Sequence, residues 1–291
     1  MVVSTLKLSQ TPLRIGCYRK RLIFIEGDIL YTEGDTVISM QNGVIFKANG
    51  EIFDITKKND KIYCITNSGE VSLISETPQY NTINPKYGIF SAVEPTENFL
   101  AAAHDLSHSV RIIDLNTFQT INTIQLPGII TGISSSTSDI LLTSDDHSLT
   151  VIDSREMAIS SRSGSLVSAP KSILSLNGKA IVSCEDRKIR IFDQRKLKTP
   201  LITTKPSTKN GTISLYSTDT NEIVCVGCDE GMTLVDTQND IGQFKRCKYL
   251  AESPWITAPV MDEEGKFSLL TRGGVLHQFT DPILFLKSQQ K

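Results

Sequence analysis

Four histidines, six cysteines and several local runs of like charge are the groups in this 291-residue chain whose types and spacing could do chemistry. His104, His108 and His147 fall on neighbouring polar reversals, where three imidazoles could offer nitrogen ligands to a metal. Exposed loop histidines without a ligand are far commoner, and no metal is expected. Cys225 and Cys228 form a Cys-x-x-Cys with no second pair to complete a metal clip. In a strand, positions three apart face opposite sides, so two buried thiols are expected instead. The sequence contains no Gly-x-Ser-x-Gly elbow, no Gly-rich phosphate loop and no His-Glu-x-x-His. The acid pairs Asp145-Asp146 and Glu263-Glu264 sit among turn residues, where solvation accounts for them. The chain reads as non-catalytic, with no cofactor and no small-molecule substrate.

Basic residues cluster at Arg19-Lys20-Arg21, at Arg187-Lys188 with Arg190, at Arg195-Lys196 with Lys198, and at Lys245-Arg246 with Lys248. Arg187 and Lys188 fall on the reversal at one end of a strand and Arg195 and Lys196 on the reversal at its other end. They make no continuous stripe, so a nucleic-acid groove is not specifically indicated.

The elements that position these groups are short strands in a repeat. The stretch Ala180 to Asp193, AIVSCEDRKIRIFD, reads as strand, polar reversal, strand and closing Asp. Like strings close at Asp114, Asp153 and Asp236, giving intervals of 39 (114 to 153), 40 (153 to 193) and 43 (193 to 236). A period near 40 built of short strands predicts propeller blades, each a four-stranded sheet that buries its faces only against its neighbours. Helical periods are absent, and β-branched runs punctuated by Gly, Asn, Asp and Pro dominate. The expectation is an all-β, seven-bladed propeller formed as a single domain over residues 1–291.

Blade one is read from Arg21–Glu26, Ile29–Thr32, Thr36–Met40 and Val44–Lys47, with Asn42-Gly43 as a tight turn. Only 28 residues separate Phe46 from Ile74 (46 to 74), so its outer strand is expected to be short or missing. Blade three runs from Gly88 to Asp114, blade four from Ile129 to Asp153, blade five from Ser172 to Asp193, blade six from Thr212 to Asp236 and blade seven from Ile256 to Phe279. Ring closure needs the termini, because an unpaired last sheet leaves raw edges. Val3–Leu8 and Ile283–Lys287 are both expected in the last blade. Ser160–Ser168 reads as an exposed flexible loop.

Composition sets outer bounds. Thirty basic and 32 acidic residues leave a net charge of −2, which gives no global pull toward nucleic acid or anionic membrane. No apolar run is long enough to span a bilayer, and the opening residues lack the pattern of a secretory leader. Cysteines scattered through strand-like runs fit a reducing compartment, so a cytoplasmic or nuclear location is expected.

Asp146 to Asp153, Asp186 to Asp193 and Asp229 to Asp236 repeat Asp-x6-Asp, the second Asp preceded by an apolar residue. This resembles the WD-repeat family of β-propellers, whose repeats end in Trp-Asp. Ile152, Phe192 and Val235 stand where the family has Trp. The resemblance covers about residues 86 to 280 well and the first 85 poorly. In that family the upstream Asp holds the turn together with a His from a Gly-His pair, and this chain has no Gly-His. Asp146, Asp186 and Asp229 are accordingly expected to hold their turns.

The resemblance implies that one end of the ring binds peptide segments. Candidate contacts there are Trp255, Tyr87 and Lys171, on the lead-ins to blades seven, three and five, and His147, Arg187 and Arg272, on strand reversals. Trp255 reads equally as a surface anchor or as a wedge between blades. The favoured expectation is a scaffold for protein partners in a larger complex. The alternative is a subunit of an RNA-processing or RNA-modification complex that touches nucleic acid through basic loops.

Overall fold

The computed structural model describes residues 2–8, 22–58, 60–82, 91–104, 108–136, 138–204, 212–217, 222–227, 232–236, 244–247, 260–261 and 266–280. Within them the chain forms strands only. β1 (Val2–Lys7) is followed by a first sheet of β2 (Leu22–Ile25), β3 (Asp28–Glu33), β4 (Thr36–Ser39) and β5 (Gly43–Lys47). A second holds β6 (Ile52–Lys58), β7 (Lys61–Thr66), β8 (Glu70–Ile74) and β9 (Gln79–Thr82). The third is β10 (Ser91–Pro95), β11 (Phe99–His104), β12 (Ser109–Asp114) and β13 (Thr120–Gln125). The fourth is β14 (Ile130–Ser135), β15 (Asp139–Ser144), β16 (Leu149–Asp153) and β17 (Ala158–Arg162). The fifth is β18 (Pro170–Leu176), β19 (Lys179–Cys184), β20 (Ile189–Asp193) and the two-residue β21 (Ile202–Thr203). The sixth is β22 (Thr212–Ser217), β23 (Glu222–Gly227), β24 (Met232–Asp236) and β25 (Phe244–Cys247). In the last, β26 (Val260–Met261), β27 (Phe267–Leu270) and β28 (Val275–Phe279) are joined by β1 as the fourth strand. All pairings are antiparallel, as hairpin connections require.

Packing explains why the middle strands read as nearly continuous apolar runs. Along β19, side chains alternate between two junctions. Ala180, Val182 and Cys184 pack with Leu141, Leu149 and Val151 of the fourth sheet, whereas Ile181 joins Ile189 and Ile191 of its own sheet and Leu215 of the sixth. Both faces are covered, so both sets are apolar. Outer strands have lost that constraint, and β17 is mostly exposed.

Similar clusters join every consecutive pair from the first sheet to the sixth. Tyr216 of β22 meets Phe267 of β27 edge-on at 5.5 Å, linking the sixth sheet to the last. Leu270 and Leu276 then pack on Leu22, Ile29 and Tyr31 of the first sheet. The circuit returns to its start, giving an all-β propeller.

Three expectations change. The outer strand of the first sheet is present as five-residue β5, because Leu22–Ile25 is already the inner strand and Gly43–Lys47 is therefore the fourth. His104 is not on a reversal; it ends β11 fully buried, with Nε2 3.2 Å from the Asn67 carbonyl. Ser160–Ser168 is not a loose loop, since Ser160 to Arg162 belong to β17 and the following residues are pinned as described below. The expected closing strand Ile283–Lys287 lies outside the described residues.

Candidate functional site

Four of the turns between second and third strands share one design. In Thr66–Gly69, Ser144–His147, Cys184–Arg187 and Thr271–Gly274, the fourth residue's N–H donates to the first residue's carbonyl at 2.9, 3.0, 3.0 and 2.9 Å. That fourth residue is left-handed: φ is 69° at Gly69, 64° at His147, 66° at Arg187 and 75° at Gly274. A tight turn closed by a left-handed residue is a standard hairpin solution, and glycine fills it without steric cost. A β-carbon there costs on the order of 1 kcal/mol, so His147 and Arg187 hold conformations glycine would adopt more easily.

Asp146 and Asp186 stand one residue earlier. Asp146 Oδ1 accepts from the Ser148 N–H at 3.1 Å and its hydroxyl at 2.7 Å, and Oδ2 pairs with Arg162 from β17. Asp186 accepts from the Lys188 N–H at 3.2 Å and takes a two-pronged ion pair from Arg190 at 3.0 and 2.6 Å. Arg190, Lys188 and the surrounding dipoles outweigh partial burial and hold the Asp186 carboxyl below its ordinary range, the Arg190 hydrogen bonds first among them. Each carboxylate thus grips a cation of a later strand. The strand-closing Asp114, Asp153 and Asp193 serve the opposite end, accepting the N–H of Asn116, Arg155 and Arg195 two residues on, at 2.9, 2.8 and 2.9 Å.

Lys171 owes its direction to a bulge. Pro170 pairs with Cys184 and Ser172 with Ser183, leaving Lys171 as the extra residue at the start of β18. Bulges re-aim side chains, and the Lys171 ammonium lies 2.7 Å from a Glu185 carboxylate oxygen. That contact, helped by His147 across the sheet junction, draws the Glu185 carboxyl below its usual range. The structure therefore gathers Lys171 and His147 around Glu185, with Arg187 two residues further along the same turn. Arg272 sits at the Glu185-equivalent position of the last sheet, away from this group. Trp255, Tyr87 and Asp229 lie outside the described residues.

Between the two turns runs Ser163–Ala169, held from both sides. The Leu166 N–H donates to the His147 carbonyl at 2.6 Å, and His147 Nδ1 lies 3.3 Å from the Leu166 carbonyl. Asp186 donates its N–H to Ser168 Oγ at 3.0 Å, and the Glu185 N–H reaches the Ala169 carbonyl at 2.8 Å. Leu166 is buried, but its neighbour Val167 is 89% exposed. A fixed backbone thus presents an apolar side chain between charged turns. Sequence reasoning passed over Val167 because it sits within a serine-rich stretch; the flanking apolar Leu166 was the available signal.

At the opposite end, a polar cleft of about 670 Å³ separates the fourth and fifth sheets, lined by Ser138, Asp139, Asp153, Arg155, Ser161 and Arg195 among others. Its strongest charge pair is internal: Arg155 clamps Asp153 through Nε at 3.2 Å and a terminal nitrogen at 2.8 Å. No grouping of three or more His, Cys, Asp or Glu suited to a metal occurs among the described residues. Cys64 and Cys184 are free and buried, and burial pushes their thiols up to about 12 and about 11, far from the thiolate a nucleophile needs. No helix among the described residues is long and apolar enough to cross a membrane.

No protein-family profile matches the sequence, and no curated protein matches it. Solved structures do. A chain in the crystal structure of a mitotic checkpoint complex superposes with a TM-score of 0.80 at 12% identity, over 96% of this chain and 94% of that one. In all, 1658 chains of solved structures match, and an architecture shared so widely identifies a fold and not a role. The chain is a β-propeller.

Proposed function

We propose that this chain is a non-catalytic scaffold: a seven-bladed propeller closed by its terminal strands, which docks a peptide or partner domain at the end carrying Lys171, His147, Arg187 and Val167, within a multiprotein complex. The observation that carries this reading is the double-sided pinning of Ser163–Ala169. An apolar residue held at 89% exposure by an ordered backbone gains nothing for folding, yet is pre-organised to be covered. The Lys171–Glu185 pair and His147 form the polar surround expected of a small interface. The basic residues at the two ends of β20 face apart, Arg187 and Lys188 before it and Arg195 and Lys196 after it, so protein docking is favoured over a nucleic-acid groove.

The test compares complexes purified from native cells with the intact chain and with a Val167→Asp/Lys171→Ala chain. Partners should fall at least about tenfold in the variant while its melting temperature stays within about 2 °C. An unchanged set of partners would overturn the reading.

A further inference from the structure

After the third strand of the fourth and fifth sheets the chain repeats one pattern, Asp153-Ser154-Arg155 and Asp193-Gln194-Arg195. In both, the arginine N–H donates to the aspartate, at 2.8 and 2.9 Å. The side chains then part. Arg155 returns its guanidinium to Asp153, whereas Arg195 makes no ion pair and donates no side-chain hydrogen bond among the described residues. Arg195 instead lines the polar cleft of about 670 Å³ between the two sheets. Its backbone is well fixed there: the neighbouring Gln194, 9% exposed, donates its amide to Ser175 Oγ at 2.9 Å and to the Lys179 carbonyl at 3.2 Å. A guanidinium on a rigid wall, aimed into a cleft, is pre-organised for a guest.

The form of the cleft indicates what that guest is. Along the fourth sheet it is lined by Ser138 and Asp139 at the hairpin between the first two strands, by Asp153 on the third, and by Ser160 and Ser161 on the fourth. It therefore crosses the sheet from inner strand to outer, about 14 Å at roughly 4.8 Å per strand. An extended chain advances about 3.3 Å per residue, so roughly four residues fill that length. Among the described lining residues Val151 is the one apolar side chain, which suits a polar guest. Charge divides the two walls. On the fourth-sheet side Asp153 is neutralised by Arg155, and Asp139 accepts from the Ser138 hydroxyl at 2.9 Å. The Asp139 charge also reaches Arg155, but Asp153 takes that guanidinium's hydrogen bonds. The fifth-sheet side presents Arg195 and, among the described lining residues, no acid. Asp139 belongs to the second strand of its sheet and Arg195 follows the third of the next, so about one strand spacing separates them along the cleft. Successive side chains of an extended chain point to opposite sides, and a neighbouring pair spans nearly that offset.

We propose that this cleft binds a short extended peptide segment of a partner, in which a basic residue faces Asp139 and the adjacent acidic residue faces Arg195. The site is separate from the docking end described above and stands without it.

The full chain is titrated by anisotropy with fluorescein-labelled eight-residue Ser-Gly peptides carrying Lys-Glu or Glu-Lys at the centre, and with versions in which either charge is replaced by Gln. One of the two doubly charged peptides should bind with a Kd below about 1 mM, and about three- to fivefold more tightly than its singly charged versions. Arg195→Gln should abolish the preference for Glu over Gln, and Asp139→Asn the preference for Lys over Gln, each leaving the other preference in place. Both variants should melt within about 2 °C of the intact chain. Failure of both doubly charged peptides to bind, or preferences that survive the two substitutions, would overturn the site. So would loss of the peptide by the Val167→Asp/Lys171→Ala chain, which would place it at the other end. Displacement by free lysine and glutamate at equal concentration would assign the cleft to free amino acids and overturn the peptide.

Discussion

Asp146 and Asp186 occupy equivalent turn positions, yet their surroundings separate their energetic weights. Arg190 is only 5% exposed, so removing Asp186 strands a guanidinium in the interior. Breaking one side of a buried pair costs about 3–5 kcal/mol. The Asp146–Arg162 pair is about a third exposed on each side (30% and 35%), where solvent relieves the loss. Chemical denaturation should therefore show Asp186→Ala losing several kcal/mol and Asp146→Ala about 1 kcal/mol. Acid dependence supplies a second readout. The Asp186 carboxyl is depressed in the fold, so as pH falls the unfolded chain binds that proton first. Its contribution is complete above the ordinary carboxylate range near pH 4 and is lost below it. Melting temperature should fall between roughly pH 5 and pH 3 in the intact chain and less steeply in Asp186→Asn, whose residue 186 does not titrate. Equal slopes would remove Asp186 from the account.

At the scale of the element, strand order and turn positions were readable because an antiparallel blade repeats its pattern at a fixed interval, and Asp-x6-Asp marks both ends of a hairpin. What could not be read was backbone irregularity. A bulge such as the one that aims Lys171 leaves no compositional trace, and nothing in the letters distinguishes the left-handed Arg187 from an ordinary surface arginine. Arg190 was counted with the basic surface cluster Arg187-Lys188, but alternation along β20 turns it inward against Asp186. The same alternation gives a clean test. Ile189 is fully buried against Ile181 and Leu215, whereas Lys188, one residue before, is only half-buried. Ile189→Asp should abolish cooperative melting, because it places an unpaired carboxylate between two sheets. Lys188→Gln should melt as the intact chain does. A soluble, cooperatively melting Ile189→Asp protein would mean the register of β20 is wrong.

For the whole molecule, stability depends on each sheet having a neighbour on both faces, and the last sheet has its fourth strand only because β1 comes back to it. Thr5 pairs with His277 and Leu6 with Leu276, so the ladder along β28 belongs to the opening of the chain. Without it, β28 presents a row of open backbone groups, and Leu270 and Leu276 lose the framework that presses them onto Leu22 and Tyr31. The consequence should not stay local, because loosening this sheet weakens the junctions on both sides, including the Tyr216–Phe267 contact. Proline cannot donate to a ladder. Ser4→Pro combined with Leu6→Pro should therefore lower the melting temperature by about 5 to 15 °C, at roughly 2–4 °C per kcal/mol for a chain of this size. The transition should stay cooperative and aggregation on heating should increase. The same pair of prolines at Ile159 and Ser161 in β17 disturbs an outer strand that closes nothing, and should cost less. Equal losses at the two sites would mean that β1 is one more edge strand, and that the circuit holds together without it.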